Sequence, residues 1–391
     1  MINAAFSDKR MGQSSLILKN IFIKSATYEG MFKNGIPTQK LITHHVLMAK
    51  GNVGLTTVSY GAVSSDARTF NNQMYINSKS LEKLKILVSE VHKANGKVSM
   101  QLTHCGYFSK NKDIKTPLAP SKVFNEYGFM SGIVFSKEMT KIDLQNVSNN
   151  FAKAALKLKE IGFDAVEIHM GHGYLLSQFL SPWTNKRKDE YGGCIENRAR
   201  FPLEVLKNVI SKVGKDFPVL VKLNLSDGFK GGFTLDECKY VSSQLERNGC
   251  STIVLSGGFT SKTPFYLMRG AVPLKGMIKN GGSFAEKITM ALFGPFIVKK
   301  YKFKPNFFLN QAIEIRKSVT MPLTYLGGVD SKKDIDEILY HGFDFIALAR
   351  PLIHDSNFLI KIKNNTIDKS ACTRCNQCIV EMDRDGVKCI I

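Results

Sequence analysis

Two histidines and a tyrosine, His169, His172 and Tyr174, follow the apolar run FDAVEI in quick succession. Crowded at a strand end, two imidazoles can hold a carbonyl oxygen while a phenol delivers a proton nearby, which is oxyanion and general-acid chemistry. A zinc site fits the spacing less well. Protease-type zinc histidines stand at i and i+4 with a glutamate between them, whereas these stand at i and i+3 around Met170 and Gly171. A second cluster, Cys372, Cys375, Cys378 and Cys389, follows the pattern C-x2-C-x2-C-x10-C. Four thiolates so placed can hold a [4Fe–4S] cluster or a zinc ion, and a metal-free remnant is the third reading. The remaining cysteines, Cys105, Cys194, Cys238 and Cys250, are scattered and read as small buried or neutral residues.

These groups need elements to hold them. Short runs rich in Val, Ile and Leu at 21–27, 54–60, 97–103, 164–170, 219–225, 251–257, 322–328 and 344–350 predict strands. Amphipathic segments between them predict helices over Lys40–Lys50, Leu81–Ala94, Leu144–Ile161, Glu196–Val213, Leu235–Asn248, Phe307–Val319 and Lys333–His341. Gly51, Gly96, Gly162, Gly249 and Gly342 stand where helix stops are expected. Eight strands with helical crossovers predict a closed parallel (β/α)8 TIM barrel in residues 1–365, with a cysteine-rich tail over 366–391. An open doubly wound sheet is disfavoured, because no G-x-G-x-x-G follows the early strands; Gly171 and Gly173 begin the pattern, and Leu175, Leu176 and Ser177 break it. Two connections, 105–137 and 258–304, are too long for turns and read as binding lids.

Barrel sites form at the C-terminal ends of the strands. Those ends carry Thr27, Tyr60, Gln101 with His104, His169 with His172, Lys222, Ser256 with Gly257, Gly327 with Gly328, and Ala349 with Arg350. Such a rim suits a large, planar, phosphorylated ligand, and FMN is one. Gly327 and Gly328 let backbone amides approach a phosphate, Arg350 adds a bidentate cation, and a helix starting at Pro351 favours an anion at its N-terminus.

The stretch EIHMGHGYLLSQFLSPWTNKRKDEYGGCIENRARF, Glu167 to Phe201, resembles the signature of the Old Yellow Enzyme family of flavin-dependent ene-reductases. Beyond the histidines and tyrosine the match takes in Asn185, Arg187, Asp189, Tyr191, Gly192, Gly193, Glu196, Asn197, Arg198, Arg200 and Phe201. The resemblance implies bound FMN, NAD(P)H as co-substrate, and reduction of activated C=C bonds in α,β-unsaturated carbonyl compounds. It assigns Thr27 to the flavin O4 edge, Gln101 to the pyrimidine edge and Lys222 to the N1–O2 edge, with Tyr60 also on the cofactor. His169 and His172 hold the substrate oxygen and Tyr174 gives the proton. His104 is left between a structural place and a flavin contact. In larger relatives, 2,4-dienoyl-CoA reductase and trimethylamine dehydrogenase, a similar cysteine spacing follows the barrel and binds [4Fe–4S]. Two alternatives follow from that likeness: an amine dehydrogenase or demethylase, and a flavin/iron–sulfur electron-transfer protein. The chain departs from many relatives at Cys105–Gly106–Tyr107, where they carry Ala-Gly-Arg, and at Ala349, where they carry glycine.

Composition narrows the partners. Of 54 basic residues only 11 are arginines, and the lysines behind the net charge of +21 are spread along the chain, as on a solvated surface. Such a surface draws in phosphorylated or carboxylated ligands. No nucleic-acid or membrane partner is expected, and the resemblance implies a small enone or enoyl molecule as the partner. With no run of about eighteen apolar residues and no apolar leader, the expected location is cytoplasmic. Composition leaves the oligomeric state open.

Overall fold

All eight apolar runs become strands, and they close on themselves. The computed structural model describes residues 2–281 and 284–391, without the side chains of 285 and 286. β1 (Phe22–Lys24), β2 (Leu55–Ala62), β3 (Lys97–Thr103), β4 (Ala165–Met170), β5 (Val219–Asn224), β6 (Thr252–Ser256), β7 (Leu323–Tyr325) and β8 (Phe345–Leu348) pair in sequence order as one closed barrel. Every neighbouring pair is parallel. This is the (β/α)8 barrel, whose strands are covered on both faces and so read as continuous apolar runs. Register does work for the site: His169 stands opposite Lys222, and Glu167 opposite Gln101.

The helices start where side chains can satisfy free amides. Asn77 with Ser80, Thr140 with Asp143 and Thr234 with Glu237 form reciprocal caps ahead of Ser78–Lys93, Lys141–Glu160 and Leu235–Arg247. Helix ends follow expectation at Gly162, Gly249 and Gly342, which take φ of +97°, +81° and +77°. Gly51 and Gly96 do not play that part. Asn52 and Asn95 hold the left-handed positions instead, at φ +68° and +54°, because the short asparagine side chain tolerates that region.

The long connections are built, not loose. In the first, Leu118–Ala119 pairs with Lys137–Glu138. The second carries two helices, Leu274–Asn280 and Phe284–Ile297, and residues 282 and 283 within it lie outside the described set. The tail is sewn to this second connection. Asn376 Nδ2 donates to Met268 O (2.6 Å) and Ala271 O (2.8 Å), and Asn280 Nδ2 donates to Val380 O (2.6 Å).

Candidate active site

At the end of β4 the backbone folds tightly under its own glycines. His172 sits at φ +60°, an uncommon conformation for a residue with a side chain, and its N–H donates to Asn224 Oδ1 (3.1 Å) on β5. A Cβ on Gly173 would stand 2.6 Å from the Phe259 ring, so only glycine lets the chain pass there. The turn brings the His169 and His172 rings to 4.9 Å at 77°, and Tyr174 to 4.8 Å from His169.

Protonation follows from partners and burial. Gly171 N–H donates to His169 Nδ1 (3.3 Å), which leaves the proton of the neutral ring on Nε2. His172 Nε2 lies 2.7 Å from Ser256 Oγ, and with Ser256 donating, Nδ1 carries the proton. Burial, with His172 and Lys222 adding, holds His169 well below the ordinary histidine range. Burial and then Lys222 bring His172 to about 3. Both imidazoles are therefore neutral at pH 7, and each offers one N–H. The Tyr174 phenol, pushed up by burial, stays protonated and donates to Tyr60 Oη (2.8 Å). Two neutral donors and one protonated acid face the same space.

That space is a cleft of about 380 Å³, within the roughly 300–1,000 Å³ of small-molecule sites. Thr27, Tyr60, Gln101, His169, His172, Tyr174, Gly327, Gly328, Ala349 and Arg350 all line it, as their strand ends predict. Lys222 does not stand on the lining. It is buried one layer beneath, 3.1 Å from Glu167 Oε1 and donating to Ser25 Oγ (3.3 Å) and Ala26 O (3.5 Å). Ser25 and Ala26 occupy the lining above it. Glu167 also accepts from Gln101 Nε2 (2.7 Å), which couples the buried cation to the lining amide. His104 is also absent from the lining; its Nδ1 accepts from Gly106 N–H (3.1 Å) and burial brings it to about 4.

The residues present fit FMN. Among the described residues the backbone amides of Gly327, Gly328, Ala349 and Arg350 donate to no protein acceptor. They form an anion cradle at the N-terminal end of Arg350–His354. All the guanidinium hydrogen bonds of Arg350 leave from one nitrogen, to Met268 O, Arg269 O and Asn376 Oδ1 (3.3, 2.8 and 2.9 Å). Ala349 at φ −125° needs no glycine, so that departure from the family pattern leaves the cradle intact. Elsewhere in the lining, Ser59 Oγ is buried with no partner, as a polar ring edge requires.

The long polar signature proves to be scaffold. Arg187 grips Asp189 with two nitrogens (2.9 and 2.6 Å) and donates to Pro120 O and Met139 O, which ties it to the first long connection. Asn185 donates to Phe179 O and Tyr191 O (2.8 Å each), and Arg198 donates to Leu180 O and pairs with Glu237. Asn185 and Arg198 thereby hold Leu175–Leu180, the short helix that follows Tyr174. Tyr107, standing where relatives carry arginine, bonds Ser261 (2.8 Å) and joins the two long connections. Sequence reasoning missed the aromatic side of the cleft, Tyr28, Phe70, Phe108 and Tyr127, and the tail residues Arg374 and Asp383. The length of the first connection was a signal for Phe108 and Tyr127; Tyr28, Phe70, Arg374 and Asp383 lie outside both long connections and had none.

The four tail cysteines are free thiols and line one small pocket of about 20 Å³ beside Arg350 and His354. Cys372, Cys378, Asn376 and Arg350 line the main cleft as well, so the two spaces share a wall. Burial pushes Cys378 up to about 11 and raises Cys372. Among the described residues no group of three or more His, Cys, Asp or Glu side chains is set to grip a single metal ion. The thiols share a pocket without forming a closed tetrahedral shell.

Relatives agree with this geometry. The family model for the NADH:flavin oxidoreductase / NADH oxidase family matches residues 12–253. The chain is 34% identical over 388 residues to the 4,4'-dithiodibutanoate disulfide reductase of Rhodococcus erythropolis, spanning 99% of this chain and 94% of that protein. It is 28% identical to the NADH oxidase of Thermoanaerobacter brockii, of which it spans about half, 52%. The fold overlays a 2-naphthoyl-CoA reductase with a TM-score of 0.83 at 22% identity, covering 99% of this chain and 56% of that one. The chain therefore belongs to the NADH:flavin oxidoreductase / NADH oxidase family and is an oxidoreductase that works with FMN and NAD(P)H.

Proposed function

We propose that the enzyme reduces activated C=C bonds of α,β-unsaturated carbonyl compounds. The observation that carries this reading is the triad of neutral His169, neutral His172 and protonated Tyr174 at one end of the cleft. FMN, when bound, supplies hydride taken from NAD(P)H. The two imidazole N–H groups hold the substrate carbonyl oxygen and favour the negative charge that grows there as hydride reaches the β-carbon. Tyr174 Oη gives its proton to the α-carbon, and its hydrogen bond to Tyr60 offers a route for the phenol to regain one.

The cysteine pocket supports a [4Fe–4S] cluster on the 366–391 tail. Four free thiols face a shared space beside the cation of Arg350, and a cluster held by four thiolates carries negative charge that such a cation offsets. A second substrate class rests on the Rhodococcus relative, whose name specifies a disulfide carrying carboxylates. Disulfide reduction needs two electrons and two protons, which hydride and Tyr174 also supply. Turnover with NADH or NADPH decides between them: a simple enone should be consumed in preference to 4,4'-dithiodibutanoate. Reduction of the disulfide with the enone untouched would replace the C=C reading. Oxidation of an amine with neither consumed would revive the dehydrogenase alternative.

A further inference from the structure

We propose that the Phe284–Ile297 helix docks the protein onto an anionic phospholipid surface. This helix leaves large apolar side chains in solvent: Phe284 is 80% exposed, Leu292 60%, Phe296 87% and Ile297 68%. Phe284, Ile288, Leu292 and Phe296 recur every fourth residue, so they form one apolar stripe along the helix. A contiguous exposed stripe of this kind marks an interaction surface.

Charge names the partner. From residue 260 to 304 the sequence holds nine cationic residues, among them Lys275, Lys279, Lys299, Lys300 and Lys302, against the single acidic Glu286. The expectation of evenly spread lysines fails here. Lys275, Lys279, Lys299 and Lys300 are exposed on either side of the apolar helix. Pairing two copies through this face would bring like charges together, whereas an anionic surface answers both features at once. Length sets the mode of contact. At 1.5 Å per residue the helix is about 21 Å long, short of a hydrocarbon core of roughly 30 Å. Among the described residues no helix is long and apolar enough to cross a membrane. The helix therefore lies in the interface, apolar stripe down and lysines among headgroups.

The insert is also coupled to the cleft. Leu267, Met268 and Phe303, at its two bases, line the cleft, and Gly276 packs on Val380 of the tail. A docked helix would hold the cleft mouth near the lipid, where an apolar substrate concentrates. This docking does not depend on which bond the enzyme reduces.

The test is co-sedimentation of the flavin-loaded full chain with phosphatidylcholine vesicles, with and without phosphatidylglycerol. The wild type should pellet with phosphatidylglycerol vesicles and be released by salt. Leu292→Glu with Phe296→Glu should weaken binding by about tenfold or more, and Lys299→Glu with Lys300→Glu should weaken it and flatten its salt dependence. Flavin content and thermal midpoint should match the wild type in both variants, since all four side chains are exposed. Failure of the wild type to bind, or binding that the Leu292/Phe296 variant retains, overturns the proposal. So does a lipid-free dimer, seen by light scattering, that the same variant splits, because a second copy would then cover the stripe.

Discussion

The cleft has two walls of different construction. The barrel wall sets His169, His172 and Tyr174 at strand ends, with register, Asn224 and the Arg187–Arg198 scaffold fixing each one. The tail wall, from Cys372 to Asp383, rests on a five-residue helix, on Arg374 and Asn376 at positive φ, and on asparagine bonds to carbonyls of the second long connection. The groups proposed to meet the transition state sit on the wall that packing already fixes. The tail wall bounds the site, and its Asn376 accepts from Arg350 of the phosphate cradle. On the proposed reading, that difference makes chemistry and cysteine occupancy separable.

Breaking the barrel wall should cost most. His169→Ala with His172→Ala removes both donors to the substrate oxygen, and a lost oxyanion donor is worth about 3–4 kcal/mol, or on the order of a thousandfold in rate. Enone turnover by the flavin-loaded double variant checks this, and flavin content should survive because neither residue belongs to the phosphate cradle.

The same burial that keeps the histidines neutral makes them a liability in acid. His172 titrates near 3 in the folded protein and His104 near 4, against 6.5 when unfolded. The unfolded chain therefore binds more protons below 6.5. The stability these groups allow is complete above that pH and is lost as pH falls toward 3. At about pH 4.5 the loss from His172 is roughly 2–3 kcal/mol. Thermal midpoints recorded from pH 7 to 4 should fall, and His172→Gln should flatten the slope.

The smallest effect is expected at the tail. Cys375→Ser should abolish iron–sulfur absorption in an anaerobic preparation, yet change enone turnover by no more than about twofold if FMN is retained, since the proton donor and oxygen clamp lie on the other wall. Loss of all turnover with FMN still bound would mean that electrons pass through the cysteine site, and the walls would not be separable.

The barrel was legible because parallel strands buried on both faces leave uninterrupted apolar runs, and because strand ends are where a barrel must expose its polar residues. Ten of the eleven predicted catalytic and cofactor residues line the cleft for that reason. Lys222 lies beneath the lining, because its ion pair with Glu167 on the neighbouring strand is a tertiary contact that local sequence cannot show. The aromatic side and Asp383 were invisible for a related reason: irregular connections carry no period, and their inward residues are chosen by tertiary contact. The glycine rule failed at Gly51 and Gly96 because a preceding or following asparagine could take the left-handed turn as well.

Stopped-flow kinetics of Tyr174→Phe tests the central claim most directly. The substitution deletes one hydroxyl and leaves the ring that packs on His169. Flavin reduction by NAD(P)H needs no proton from Tyr174 and should keep its wild-type rate, while reoxidation by an enone should slow by on the order of a hundredfold. Equal slowing of both half-reactions, or no slowing of either, would contradict the assignment of Tyr174 as the proton donor of a C=C reductase.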